Sequence, residues 1–97
     1  MKLKIFAIKD IKAKNLCSVF LDKDVLAAKR QIGVVVNSNN QSMYRVYPGE
    51  FQLLQLGSVD MVSGFVDYDF DEICVLDELK SIQLENTLNE VKEEINE

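Results

Sequence analysis

The run Asp67-Tyr-Asp-Phe-Asp-Glu72 puts a carboxylate at every second position, and Glu78 stands twelfth counting from Asp67. Two chemistries use such acids: calcium ligation in a loop, and paired carboxylates for acid–base catalysis. Neither fits. The sixth loop position is Glu72, where the sharp turn of a calcium loop demands glycine. The interleaved Val66, Tyr68 and Phe70 demand an extended strand, which spreads its carboxylates along one side and cannot wrap them around an ion. Nothing pairs one of these acids with a buried polar pocket, so the alternate aspartates read as a solvated strand face.

Other catalytic chemistry finds little material. The chain has no histidine, and its two cysteines, Cys17 and Cys74, form no Cys-x-x-Cys pair. Common zinc sites and triad-type nucleophiles are thereby excluded. The four glycines are scattered in turn or boundary contexts, so no phosphate-cradling loop exists. We expect no enzyme, no metal and no cofactor, and two buried, reduced thiols.

The cations make a second pattern. MKLKIFAIKDIKAKN holds five lysines and one acid, in a protein of net charge -5. Residues 1–47 carry nine Lys/Arg against three acids, whereas residues 48–97 carry two against thirteen. Such asymmetry suits a nucleic-acid face joined to an acidic tail. Single strands are gripped by a basic groove and by exposed rings on which bases stack. Lys2, Lys4, Lys9, Lys12, Lys14, Lys29, Arg30 and Arg45 are the candidate cations, and Phe6, Tyr44 and Tyr47 the candidate rings. The competing readings are a core role for Phe6, if both sheet faces are covered, and lysines that merely protect a strand edge.

Elements must hold these residues in place. KLKIFAIKD alternates as a strand whose odd positions, Leu3, Ile5 and Ala7, make the better core face. LCSVFL is a second short strand. Asp22 can cap a helix over about residues 23–36, with Val25, Ala28, Ile32, Val35 and Val36 on one apolar face. FQLLQLG has leucines on both faces and should be central, and FVDYDFDEICV is a half-buried strand. From Asp77 onward helix formers dominate, with Leu84, Leu88, Val91 and Ile95 at heptad spacing. An isolated helix of this length is marginal, so the stripe needs its own core or a second subunit. Ninety-seven residues make one hydrophobic core. No apolar stretch approaches membrane-spanning length and the lysine-broken N-terminus is no signal peptide, so a cytoplasmic protein is expected.

The order of these features resembles a known family. The quoted segments are AIKDIKAKN, SVFLDKD, AAKRQ and YPGEFQLLQLGSVDMVSG, spanning about residues 4–66. They are similar to the small non-structural protein of gokushovirus-type microviruses, icosahedral phages with single-stranded DNA genomes. Asp10, Lys12, Ala13, Phe20, Arg30, Pro48, Glu50, Phe51, Leu53, Leu56, Gly57 and Gly64 carry the likeness. Val19 replaces the family's usual proline, and Gln31-Ile32 stand where an aromatic usually follows the arginine. The resemblance implies a DNA-binding or packaging-related accessory protein that helps direct genome synthesis toward single strands for procapsids.

The expectation is therefore an α+β protein. A small antiparallel sheet of about four strands packs one helix in a core domain, residues 1–76, followed by an acidic amphipathic C-terminal helix, residues 77–97. Two functional readings remain. One is single-stranded DNA binding, or association with phage replication or procapsid proteins, through the basic half. The other is a homodimer or higher oligomer assembled through Leu84, Leu88, Val91 and Ile95, without DNA contact.

Overall fold

The computed structural model describes residues 1–80. Four strands, β1 (Lys2–Asp10), β2 (Asn15–Asp22), β3 (Phe51–Asp60) and β4 (Val66–Val75), form one antiparallel sheet in the order β2-β1-β3-β4. The expected α+β architecture is what the chain adopts, with β1 and the leucine-rich β3 at the centre. Helix α1 (Val25–Asn37) leads from edge strand β2 to β3, followed by a single turn, α2 (Met43–Val46), and a 3₁₀ turn at Pro48–Glu50. Residues 78–80 begin a helix. Leu84, Leu88, Val91 and Ile95, and with them the assembly stripe, lie outside the described residues.

Both hairpins close by one device. In each turn an aspartate carboxylate accepts backbone N–H bonds: Asp10 from Ala13 (3.0 Å), and Asp60 from Val62 (2.8 Å) and Ser63 (3.1 Å). These two bonds hold the Asp60 carboxyl below the usual carboxylate range, because they favour its charged form. Four residues after each aspartate the chain turns left-handed, at Lys14 (φ 60°) and Gly64 (φ 78°). The amides of both return to the aspartate carbonyl at 2.8 Å.

α1 begins at Asp24, whose side chain accepts from the Ala27 amide at 2.8 Å. The expected cap, Asp22, instead ends β2 and bonds the Lys23 amide. The helix continues through Gly33 and the valine run, because packing of Ala28, Ile32 and Val36 outweighs weak β-branched propensity. It covers one face of the sheet, where Phe6, Ile8, Phe51, Leu53 and Cys74 join Leu76 and Leu79 in the core. The core face of β1 is thus the even one. Leu3 and Ile5, expected inside, lie half-buried on the opposite face. That follows from where α1 lies: it covers the Phe6–Ile8 end of the even row and stops short of Lys2 and Lys4.

β4 departs from expectation in the same way. Its alternation is real, but Val66, Tyr68 and Phe70 are exposed, and burial begins only at Ile73 and Cys74. Gly57 pairs with Tyr68, and Ser58 with Asp67 and Lys4, so the aromatic row faces away from the helix and the aspartate row lies on its side.

The cysteines are both free, but only Cys74 is buried; Cys17 is exposed on edge strand β2. Burial pushes the Cys74 thiol up, with Asp77 and Glu78 adding to the effect and Lys29 opposing it. A raised pKa in a closed site makes a thiol inert. A disulfide-exchange reagent is expected to label Cys17 in the native protein within minutes and Cys74 only upon unfolding. Native labelling of both at equal rates would contradict the buried placement.

Candidate nucleic-acid interface

The structure divides the candidate residues between two ends of the sheet. At the end carrying the β1–β2 turn lie Lys9, Lys12 and Lys14, because β1 runs into that turn. α2 brings Arg45 and Tyr47 to the same end. The Tyr44 ring packs edge-on against Phe51 at 4.9 Å, and its hydroxyl lies 3.2 Å from the Ser18 hydroxyl. Three acids lie at this end: the Asp77 carboxylate stands 3.7 Å from the Cβ position of Gly49, and the other two are engaged. Asp10 bonds its own turn, and Glu50 meets the Lys12 ammonium at 2.7 Å. The Glu50 carboxylate raises the Lys12 pKa, through the hydrogen bond first and its charge second. Four cations, Lys9, Lys12, Lys14 and Arg45, thus meet three acids there, and Glu72 lies nearby, bonded to the Gln52 that pairs with Lys9.

Lys2 and Lys4 project at the opposite end, beside the β3–β4 hairpin. Lys2 faces Asp67 at 3.8 Å, and the Lys4 ammonium donates to Gln55 Oε1 at 3.3 Å. Gln55 is buried and passes the interaction on, donating from Nε2 to the Asp69 carbonyl (3.1 Å) and carboxylate (3.4 Å). The aspartate ladder therefore faces Lys2 directly and meets Lys4 through Gln55. Nothing in the local sequence announces this, because the partners lie over fifty residues apart.

Three further candidates change standing. Phe6 is 0% exposed and stacked on Phe20 at 5.7 Å, so it cannot receive a base. α1 covers the even face of β1, and the ring is the largest side chain available to fill that space. Tyr44 is committed to Phe51 and Ser18, which leaves Tyr47, 49% exposed, as the accessible ring among the three. Lys29 and Arg30 ride on α1, with Lys29 half-buried near Cys74 and Arg30 exposed.

Among the described residues no group of three or more acids and thiols is placed to hold a metal ion. No described helix is long and apolar enough to cross a membrane. The sequence reading missed the side of the sheet that the described residues leave uncovered, where Val19, Leu21, Val66, Tyr68 and Phe70 are exposed together. The available signal was apolar residues on both faces of β1 and β3, which requires cover on two sides.

Among known proteins, residues 3–79 match the family model described as Phage ORF5 protein. No curated protein and no solved structure matches the chain.

Proposed function

The chain belongs to the Phage ORF5 protein family, and we propose that it is a non-enzymatic accessory protein of a gokushovirus-type microvirus, acting in the host cytoplasm by binding single-stranded DNA. The contact surface is the β1–β2 turn end, where Lys9, Lys12, Lys14 and Arg45 neutralise phosphates and Tyr47 offers a stacking ring. One observation supports this reading above the rest: Asp10 and Glu50, the acids of the turn itself, are bonded within it, while Asp67 faces Lys2 at the other end. Replication or procapsid proteins are the partners such a complex would meet. They could also bind the acidic residues 77–97.

The test is oligonucleotide binding by fluorescence anisotropy across a salt series. Four phosphate contacts give a log–log salt slope of about -3 for a single strand. Reversing Lys9, Lys12 and Lys14 to glutamate is expected to remove at least nine-tenths of the affinity at low salt. Reversing Lys2 and Lys4 should change it less than twofold, because those lysines lie at the opposite end of the sheet, beside Asp67 and Gln55. Absence of binding by the wild-type chain at low salt would end this reading. A second one, an interaction module without DNA contact, draws on the uncovered apolar face and expects that absence.

A further inference from the structure

The face of the sheet opposite α1 is apolar on all four strands from the β3–β4 hairpin end to the middle of the sheet. Register places Ile5 between Leu21 on β2 and Gly57 on β3, with Tyr68 of β4 next in the row. The neighbouring row runs Val19, Ala7, Leu54, Glu72, and Lys9 and Gln52 follow it toward the β1–β2 turn. Its central members are buried by their neighbours, but its margins are open: Val19 is 57% exposed and Tyr68 80%. Tyr68 and Phe70 stack with ring centroids 6.4 Å apart and planes 13° from parallel, which makes a flat, rigid aromatic step on the edge strand. A sheet face turned to water normally alternates to polar residues, and this one turns polar only toward Glu72, Gln52 and Lys9.

We propose that this face is covered by the same face of a second copy, giving a two-fold symmetric dimer in which two sheets pack as a sandwich. Size supports that occupant. Strands about 4.8 Å apart and nine residues long make a face of roughly 19 by 30 Å, or roughly 550 Å² per copy. Two copies bury roughly 1,100 Å², which reaches the lower bound for a specific interface. Chemistry supports it as well. The face carries its charges, Lys9 and Glu72, toward one end, and its apolar remainder is complementary to itself. Charge also chooses the orientation. A two-fold axis perpendicular to the strands separates the two lysine-bearing turn ends, whereas an axis along the strands would stack them. The dimer rests on the sheet face alone and holds whether or not the chain binds DNA.

The test is the mass of the full chain by sedimentation or light scattering between about 1 and 100 µM. A concentration-dependent dimer is expected. Val19→Asp with Tyr68→Asp should raise its dissociation constant at least a hundredfold while leaving the circular dichroism unchanged, since both side chains project from the folded monomer. Should Val19→Asp fail to fold, Tyr68→Lys alone on the edge strand gives the same reading at reduced size. A wild-type monomer at 100 µM overturns the proposal. If both substitutions also lower the melting temperature of that monomer, residues 81–97 or another part of the same chain cover the face instead. A dimer that survives both substitutions but is lost with Leu88→Asp overturns it too, and moves the contact to the C-terminal stripe.

Discussion

Phe6→Ala is expected to destabilise the protein by about 3–5 kcal/mol, the usual range for deleting a fully buried aromatic side chain. The ring is closed from solvent, stacked on Phe20, and part of the cluster with Ile8, Ile32 and Leu53. Truncation removes its apolar area and leaves a cavity whose walls belong to two central strands and a helix, elements that cannot collapse inward independently. Small domains hold only about 5–15 kcal/mol in total, so this one change takes a large share. Urea unfolding measures it. Phe6→Leu should cost clearly less, because most of the volume remains. The same variants separate two roles for the residue: the folded fraction of Phe6→Ala should bind oligonucleotide as the wild type does. A stability loss under about 1 kcal/mol together with lost binding would return the ring to the surface.

The second large effect lies at Gly57. A Cβ added there would stand 2.0 Å from the Asp67 carbonyl oxygen, 3.0 Å from its carbon and 3.1 Å from the Asp69 nitrogen. These are backbone atoms of the paired strand, so no rotamer change relieves the clash. Both strands are irregular here: β3 has an extra residue, Leu56, against β1, and β4 has one against β3 between Tyr68 and Asp71, and the bulges bring the β3 and β4 backbones together. Gly57→Ala must therefore push β4 away, at a cost of about 3 kcal/mol, the upper part of the overpacking range. Hydrogen exchange should show it locally: amides of residues 66–72 lose protection while the β1–β2 hairpin keeps its own. Gly49→Ala is the control, since its nearest neighbour is the Asp77 carboxylate at 3.7 Å. Wild-type protection throughout β4 in Gly57→Ala would show that the strands do not approach so closely.

Local pattern was enough for much of the fold. Alternation marked β1 and β4, and leucines on both faces marked β3 as central. Spacings of three and four marked α1. Where local reading went astray, a neighbour in space decided. Leu3, Ile5 and Ala7 are more uniformly apolar than Lys2, Lys4, Phe6 and Ile8, yet α1 packs on the second set. One large ring and an isoleucine near the covered end outweigh two lysines that reach past it to water and to acids. Asp22 and Asp24 both precede the helix by a suitable distance, and β2's pairing of Asp22 with Lys4 reserves the first for the strand.

The candidate site shows the same division more sharply. Composition alone determined that this chain has no histidine chemistry and no phosphate loop, and that its positive charge is gathered in the first half. These facts depend on residue types, which no fold can alter. Which lysines remain free, which ring is accessible and which sheet face lacks cover were decided only by the tertiary structure. Electrostatic neutralisation and burial depend on distance in space, and antiparallel pairing set Lys2 against Asp67 and Phe6 against Phe20 across separations that sequence order does not encode.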